Sequence, residues 1–152
     1  MTAPSPPDLQ SGAVPFRWRA GGLDVLLTTS ITSKRWICPK GNIAPGLTSR
    51  ASAVKEAFEE AGIRGYTFPR PLGIYEHKTK KHGRRPVELY PMEVLYIDLR
   101  WPEKAARRRK WFRLDVAAAK VQEKGLPELL LALPRYLAHE HAEHGETAPL
   151  TP

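Results

Sequence analysis

Residues 41–63 read GNIAPGLTSRASAVKEAFEEAGI, and this run contains the clearest local signals in the chain. Glycine and proline recur at its beginning, so the segment from Lys40 to Leu47 is predicted to be a loop. Either Thr48 or Ser49 can cap a helix that follows, and Gly62 stands where that helix is expected to end. The apolar stripe at helical spacing consists of Ala51, Ala53, Val54, Ala57, Phe58 and Ala61. The run therefore predicts a loop followed by a well-defined amphipathic helix.

Three glutamates stand on this predicted helix at positions i, i+3 and i+4, namely Glu56, Glu59 and Glu60. This spacing brings three carboxylates to one helix face within a single turn, where they repel one another unless a cation neutralises them. Hard divalent cations such as Mg²⁺ take carboxylate oxygens as ligands, together with substrate phosphates. The cluster is therefore a candidate metal cradle. Helix spacing alone favours the alternative, a solvated acidic face, because charge runs on helices usually lie on the surface.

Outside that run, the sequence predicts further strands and helices. The segment Phe16–Thr29 has the pattern of a β-hairpin that turns at Gly21 and Gly22. The other predicted elements are a short apolar run at 36–38, strands at 72–75 and 87–99, and helices at 116–124 and 126–141. Pro91 favours a sheet edge or a bulge, and Pro134 is expected to kink or divide the last helix. This order of elements predicts a single mixed α/β or α+β domain.

The composition favours an anionic partner. The chain of 152 residues carries 24 Lys and Arg against 16 Asp and Glu, a formal net charge of +8. No window of about 18 apolar residues and no secretory leader are evident, so a membrane-spanning or exported protein is not predicted. The single cysteine, Cys38, leads us to expect a reducing, cytoplasmic location. Residues 1–12 and 143–152 are predicted to be flexible tails that flank a domain at 13–142.

Basic residues recur in three blocks, which are Arg35 with Lys40, the segment Lys78–Arg85, which is predicted to be a loop, and Arg107–Lys110. Because charge of one sign recurs near the same predicted helix, these blocks are predicted to contact phosphate groups. The alternative is that they serve solubility and bind nucleic acid without specificity. The sequence has no phosphate-binding G-x4-G-K-[ST] loop, no G-x-S-x-G and no dinucleotide fingerprint. Kinase, serine-hydrolase and Rossmann functions are therefore not supported.

The segments Gly41–Leu47 and Lys55–Ile63 resemble the Nudix box, G-x5-E-x7-R-E-U-x-E-E-x-G-U, in which U is an apolar residue. Both glycines, all three glutamates and the flanking apolar positions fall in register, whereas Leu47 replaces a glutamate and Lys55 replaces an arginine. Further segments at 28–41 (TTSITSKRWICPKG), 73–77 (GIYEH) and 108–115 (RRKWFRLD) are similar to the diphosphoinositol polyphosphate phosphohydrolases and their bacterial relatives. The resemblance covers residues 13–133.

The resemblance implies a Nudix-type α/β/α sandwich around a mixed β-sheet and a hydrolase that cleaves phosphoanhydride bonds. Mg²⁺ is the implied cofactor, and a hard carboxylate site of this kind also accepts Mn²⁺. The implied metal ligands are the Gly41 carbonyl and the carboxylates of Glu56, Glu59 and Glu60. Either Glu56 or Glu59 would also orient or deprotonate the attacking water. We expect Glu60→Gln to abolish metal-dependent turnover and to leave the fold intact.

The implied substrate is a highly phosphorylated small molecule, either a diphosphoinositol polyphosphate or a dinucleoside polyphosphate. The predicted phosphate contacts are Arg35, Lys40, Lys81, His82 and Arg108. Two alternatives stay open: a pyrophosphohydrolase of nucleotide pools or RNA 5′ ends, and a Nudix-like module that binds polyanions without cleaving them, which Leu47 and Lys55 would permit. Nucleic acid is the less favoured partner, no membrane partner is expected, and a homodimer is compatible with the resemblance.

Overall fold

The computed structural model describes residues 8–143. The elements in chain order are β1 Gln10–Arg19, β2 Gly22–Thr29, β3 Trp36–Ile37, β4 Lys40–Asn42, α1 Ser49–Ala61, β5 Ile63–Thr67, β6 Gly73–Thr79, β7 Gly83–Ile97, β8 Arg109–Arg113, α2 Leu114–Lys120, α3 Leu126–Leu131 and α4 Leu133–Glu143. Since β1 begins at Gln10, the ordered domain begins before the predicted boundary at residue 13. Residues 1–7 and 144–152 of the two predicted tails lie outside the described residues.

The strands form one mixed sheet whose main path runs β3-β2-β1-β7-β5. Strands β1 and β7 pair in parallel, and the other strand pairs are antiparallel. Strand β1 changes its partner along its length, because Phe16–Arg19 pair with β2 and Gln10–Gly12 pair with β4. The predicted hairpin over Phe16–Thr29 is therefore confirmed. The divergence of β1 from β2 places β4 in the sheet beside α1, where the 41–63 run begins.

Helices cover both faces of the sheet, and alternate strand residues point to opposite faces. On one face, Ala13 and Leu26 pack against Ala53, Ala57 and Ala61 of α1. The other face packs against α2, α3 and α4, and its core includes Val14, Phe16, Val25, Leu27, Ala117, Leu126, Leu130 and Leu137. The predicted α/β/α sandwich around a mixed sheet is therefore confirmed. The small alanines of α1 bring its backbone close to the sheet, and this proximity fixes where its polar face lies.

The ends of α1 match the sequence prediction. Thr48 is the N-cap, and its Oγ1 accepts a hydrogen bond of 3.1 Å from the Ala51 amide. Gly62 follows the last turn with φ 67°, a left-handed conformation that glycine adopts without steric cost, and its amide donates to the Phe58 carbonyl at 2.9 Å. The sequence therefore predicts both the beginning and the end of α1 correctly.

Two segments predicted to be loops contain strand residues. Lys40–Asn42 form β4 against the first residues of β1, so the loop is shorter than the predicted Lys40–Leu47. The block Lys78–Arg85 is the end of a hairpin, because Lys78 belongs to β6 and Gly83 begins β7. Charged residues are compatible with these strands, because an antiparallel hairpin can expose the side chains of one face to solvent.

Pro91 lies inside the sheet and not at its edge, so the expected edge position is wrong. It is in register with Val14 of β1, and its carbonyl accepts a hydrogen bond from the Phe68 amide at 2.9 Å. The other partner of β7 changes at this point, since β6 pairs as far as Leu89 and β5 pairs from Met92. The missing N–H of the proline faces this junction, where no ladder bond is lost.

The predicted C-terminal helix is divided, as Pro134 led us to expect. The break falls at Ala132 between α3 and α4, and Pro134 occupies the first turn of α4, where its missing amide has no partner to lose. The helix predicted at 116–124 is α2, which ends earlier, at Lys120. Within residues 8–143, no helix is long and apolar enough to cross a membrane.

Candidate active site

Helix α1 presents its three glutamates to different environments. Glu56 and Glu60 lie on the side that faces the sheet and retain only 9% and 4% of their surface exposure. Glu59 lies at the rim, with its side chain 33% exposed. We call these three residues the acidic face. The structure therefore brings the predicted carboxylates to one side of the helix, and two of them are buried.

Gly41 packs directly against the Glu56 carboxylate. A Cβ atom placed on Gly41 would lie 2.3 Å from the Glu56 carboxyl carbon and 2.4 and 2.7 Å from its two oxygens. A side chain at this position would force the Glu56 carboxylate to move, so the glycine allows the β4 backbone to lie directly against it. The first glycine of the box and its first retained glutamate thus meet in space.

Glu60 is held from two sides. Its Oε1 accepts a hydrogen bond from the Lys40 amide at 3.2 Å, and its Oε2 accepts one from Arg107 Nη2 at 3.1 Å. The Arg107 guanidinium also donates to Glu103 Oε1 at 2.7 Å and to the Thr29 carbonyl at 2.9 Å. One buried arginine therefore connects the helix with the end of β2 and with the connection between β7 and β8.

The same β7–β8 connection and the first residue of β8 fix the last turn of α1. Trp101 Nε1 donates to the Glu60 carbonyl at 3.0 Å, and Arg109 Nη1 donates to the Ala61 carbonyl at 2.7 Å. The Arg109 guanidinium lies over the Trp101 ring, 3.9 Å from its centroid. These side chains satisfy carbonyls at the helix end that have no partner inside the helix. The position of Glu60 is therefore set by long-range contacts as well as by the helix itself.

Burial dominates the electrostatics of the acidic face. It raises the pKa of Glu60 to about 7, although Arg107 and Lys40 act in the opposite direction. Burial also raises the pKa of Glu56, and the charge of Glu59 adds to this effect. Two carboxyl groups are thus costly to ionise without a further cation.

Lys55, which replaces the arginine of the box, lies beside two carboxylates. Its Nζ is 3.0 Å from Glu59 Oε2 and 3.7 Å from Glu56 Oε2. The hydrogen bond to Glu59 raises the pKa of this lysine. Leu47, the other departure from the box, lies in the loop with 41% of its surface exposed. Lys55 therefore keeps a positive charge at the acidic face, without the planar fork of an arginine.

The chemistry of the donors fits a divalent cation at Glu56, Glu59 and the Gly41 carbonyl, since all are hard oxygen ligands. The Gly41 backbone lies against Glu56, and the raised pKa of Glu56 marks a carboxylate that a cation would stabilise. Glu60 is engaged with Arg107 and with the Lys40 amide. Among residues 8–143, no group of three His, Cys, Asp or Glu side chains is already arranged to hold a metal ion.

A cleft of about 880 Å³ opens beside these groups. It is lined by Ser30, Ile31, Thr32, Ser33, Arg35, Ile37, Lys40, His77, Lys78, Thr79, Lys80, Arg107 and Glu123. We call this the cationic cleft, because five of its lining side chains are Lys or Arg. Lys40 and Arg107 line the cleft and also contact Glu60, so the cleft and the acidic face adjoin.

The predicted phosphate contacts divide into two groups. Arg35 and Lys40 line the cleft, as a substrate-binding role requires. Lys81 and His82 lie exposed in the turn between β6 and β7, and they do not line it. Arg108 is also absent from its lining; its guanidinium carbon lies 5.8 Å from the centroid of the Trp36 ring. The structure thus brings together two of the five predicted residues.

Two titratable residues that line the cleft, His77 and Glu123, were not predicted, and Arg107 was predicted only as part of a basic block. Arg107 stands at the start of a basic block that the sequence pointed to, but nothing distinguished it from its neighbours. His77 ends the GIYEH segment, whose resemblance to a known family was a usable signal. Glu123 stands alone in a polar segment, and no local pattern marks it.

The sandwich, with a glycine loop and an acidic helix beside a cleft, is a fold class found in solved hydrolases. The crystal structure of a C. elegans Ap4A hydrolase matches with a TM-score of 0.70, covering 85% of this chain and 97% of that chain at 22% identity. A NUDIX hydrolase from Nitrosomonas europaea matches with a TM-score of 0.64, covering 88% of this chain and 90% of that one at 22% identity. At such identities the likeness shows the fold alone.

The NUDIX domain model matches residues 9–133, so the chain belongs to the NUDIX domain family. It is similar to Nudix hydrolase 16, mitochondrial, of Arabidopsis thaliana, at 30% identity over 140 residues that cover 81% of this chain and 77% of the relative. It is also 32% identical over 100 residues to the human Diphosphoinositol polyphosphate phosphohydrolase 2, covering 64% of this chain and 53% of that protein. The predicted family and hydrolase class are confirmed, and the chain spans about half the length of its diphosphoinositol relatives.

Proposed function

We propose that this protein uses a divalent cation, Mg²⁺ or Mn²⁺, to hydrolyse a phosphoanhydride bond in a highly phosphorylated small molecule. The observation that carries the proposal is the junction of the acidic face with the cationic cleft. Lys40 and Arg107 line the cleft and also contact Glu60 of the acidic face, so a polyphosphate in the cleft would lie next to carboxylates that suit a metal. Cleavage requires these two kinds of site side by side.

The residues of the site take roles that follow from the charge of the substrate. Neighbouring phosphate oxygens repel an incoming water, and Arg35, Lys40 and Arg107 would reduce this repulsion by binding them. Glu56, Glu59 and the Gly41 carbonyl would hold the cation, which supplies charge neutralisation and a more acidic water. Glu56 or Glu59 would also accept the proton of the attacking water. Glu60 would hold Arg107 and the Lys40 backbone at the edge of the cleft.

We favour a diphosphoinositol polyphosphate as the substrate over a dinucleoside polyphosphate. Relatives of this chain are named as diphosphoinositol polyphosphate phosphohydrolases, and the C. elegans protein of similar fold is named as an Ap4A hydrolase. The residues that line the cleft include five Lys and Arg side chains but no Trp, Tyr or Phe. Nucleobases are commonly bound by stacking on aromatic rings, whereas an inositol ring offers phosphates on every side. The lining therefore fits a compact polyanion better than a base.

The experiment is a product analysis with wild type, Glu56→Gln and Glu128→Gln. The panel contains a diphosphoinositol polyphosphate, diadenosine polyphosphates, nucleoside triphosphates and RNA with a 5′ triphosphate, each with Mg²⁺ and with Mn²⁺. We expect wild type to release phosphate fastest from the inositol compound, and Glu56→Gln to lose at least about 100-fold in kcat. Glu128→Gln makes the same change on the exposed surface of α3, and it should match wild type.

Other outcomes would select the alternatives. Preferred cleavage of nucleoside triphosphates or RNA would make the protein a nucleotide or RNA pyrophosphohydrolase. Binding of polyanions without turnover under any metal would make it a binding module, and it would then contradict the proposal. A cytoplasmic location and a homodimer are further proposals, which rest on the sequence; the Arabidopsis relative cited above is named as mitochondrial.

A further inference from the structure

His77 and Glu123 form a close pair inside the cationic cleft. The distance from His77 Nδ1 to Glu123 Oε1 is 2.7 Å, and both residues line the cleft. Their side chains are 18% and 16% exposed, so the pair is mostly shielded but reachable from the cleft. His77 belongs to β6, whereas Glu123 belongs to the segment between α2 and α3. The contact therefore joins two segments that lie 46 positions apart in the sequence.

The backbone fixes the two side chains relative to each other. The Glu76 amide donates to the Lys124 carbonyl at 3.0 Å, which attaches the segment after α2 to β6. The Lys78 amide lies 3.5 Å from Glu123 Oε2, so the carboxylate contacts both His77 and the residue that follows it. Because these backbone contacts involve the residues that precede and follow His77, they hold the Glu123 carboxylate beside the imidazole.

The chemistry of the pair determines which ring atom is available. A carboxylate only accepts hydrogen bonds, so Nδ1 must be the donor to Glu123 and Nε2 is the atom left for a bound molecule. An imidazolium carries a hydrogen on each nitrogen, so such a ring can donate to a carboxylate from Nδ1 and to a phosphate oxygen from Nε2 at the same time. The ring can thus connect a fixed carboxylate to a phosphate oxygen.

Among the lining residues that the structure describes, Glu123 is the one carboxylate, and by charge alone it would repel a polyphosphate. Burial is the largest single influence and disfavours its charged form, but His77, the Lys78 amide and Lys40 together outweigh it and hold the pKa of Glu123 below its usual value. A negative group in a site with five cationic neighbours therefore calls for an explanation. Orientation of His77 provides one.

We propose that His77 donates a hydrogen bond from Nε2 to a phosphate oxygen of the bound substrate, and that Glu123 is the positioning residue that fixes its ring. The inference rests on the proposed function for the polyphosphorylated nature of the substrate, and it adds one substrate contact and its support to that site. The pair lies on the wall formed by β6, so it would contact the same molecule as Lys78 and Lys80.

The first test measures binding without turnover. Inositol hexakisphosphate serves as the probe in EDTA, because it is a polyanion with no anhydride to cleave, and its affinity is measured by titration calorimetry. We expect His77→Gln to weaken binding by about tenfold, the loss of one charge-assisted hydrogen bond. His139→Gln makes the same substitution on an exposed position of α4 and should bind like wild type. Unchanged affinity in His77→Gln would overturn the substrate contact.

The variant Glu123→Gln separates positioning from simple charge. Removal of a negative group from a cationic cleft should strengthen binding of a polyanion if charge alone matters. The proposal predicts the opposite, a loss of about threefold or more, because a neutral amide oxygen accepts the Nδ1 hydrogen bond more weakly than a carboxylate and holds the ring less firmly. Equal or tighter binding by Glu123→Gln would contradict the role of Glu123.

A spectroscopic measurement on the wild-type protein avoids any doubt about folding of the variants. In protein labelled with ¹⁵N-histidine, the probe should shift the Nε2 resonance of His77 and leave both ring nitrogens protonated, with His139 unaffected. A His77 resonance that the saturating probe does not move would contradict the inference, as would failure of the wild type to bind it. Turnover with an unmoved His77 would refute this inference alone, whereas a shifted His77 without turnover of any substrate would refute only the proposed function.

Discussion

The acidic face and the cationic cleft adjoin, but they are built in different ways. The acidic face comes from one turn of α1, two of its carboxylates are buried, and Arg107, Lys55 and the Lys40 amide contact its carboxylates. The cleft takes its cations from the three basic blocks of the sequence, and among its described lining residues only Glu123 opposes them. Charge is only partly compensated within the protein at the acidic face, where burial still disfavours ionised carboxylates, whereas the cleft has positive charge left for an anionic ligand.

This difference predicts how substitutions in each region should affect stability, metal dependence and substrate affinity. Substitutions at the acidic face and its partners should alter stability and metal dependence, because those groups are buried and coupled. Substitutions in the cleft should alter substrate affinity with little effect on folding, because its side chains are partly in water. Arg107 belongs to both regions and should show both effects.

The largest expected effect is that of Arg107→Met. This variant removes the partner of the buried Glu60 carboxylate and two further hydrogen bonds, so we expect the free energy of unfolding to fall by about 3 kcal/mol. Urea denaturation at pH 8 measures it, and Arg113→Met serves as the control, since that side chain is 78% exposed. Adding Glu60→Gln should recover at least about 1 kcal/mol of the loss. Equal effects of the two arginine variants would contradict the buried ion pair.

The next prediction concerns the pH dependence of stability without metal. Burial raises the pKa of Glu60 from 4.5 to about 7, so the folded state binds more protons than the unfolded state between these values. The free energy of unfolding should therefore fall as pH rises through this window, with a contribution from Glu60 of up to about 3 kcal/mol. The difference between wild type and Glu60→Gln, followed by urea denaturation from pH 4.5 to 8, isolates this contribution. A difference that does not vary with pH would refute it.

Lys40→Met tests the cleft. Its Nζ is lost while its amide can still bind Glu60, so we expect KM for the polyphosphorylated substrate to rise about tenfold, with a smaller change in kcat. Lys120→Met, an exposed change on α2, is the matched control. Salt should weaken the difference between wild type and Lys40→Met. A fall in kcat with KM unchanged would place Lys40 in the chemical step and not in substrate binding.

Lys55→Arg has the smallest expected effect. The arginine would restore the residue of the box and could contact Glu56 and Glu59 at once, but the exposed position limits the gain. We expect kcat to change by no more than about fivefold, measured under saturating substrate. A much larger increase would show that the native lysine severely limits catalysis.

The acidic face was readable from the sequence because local rules specify it. Helix spacing places Glu56, Glu59 and Glu60 together, and Thr48 and Gly62 mark the helix that holds them. The two faces of the sheet also follow from alternation in β1 and β2. Sequence spacing could not show that the Glu60 carboxylate accepts a hydrogen bond from Arg107. The two residues are 47 positions apart, and only tertiary packing brings them together.

The cleft was predicted only in part for the same reason. Basic blocks are visible in the sequence, but whether a given side chain faces the cleft depends on hairpin register and strand direction. Lys80 lines the cleft while Lys81, its neighbour, does not. Glu123 meets His77 through a segment between two helices, and no periodic pattern encodes this contact. The individual residues of such a site can therefore be identified only from the structure.

The central claim is that the acidic face holds a divalent cation which acts on an anhydride bound in the adjoining cleft. The most direct test is the rate of phosphate release from a diphosphoinositol polyphosphate as a function of Mg²⁺ concentration, for wild type and Glu56→Gln. We predict saturable activation of wild type by Mg²⁺, no turnover in EDTA, and little turnover by the variant at any Mg²⁺ concentration. Equal rates for wild type with Mg²⁺ and in EDTA, or full activity of Glu56→Gln, would contradict the claim.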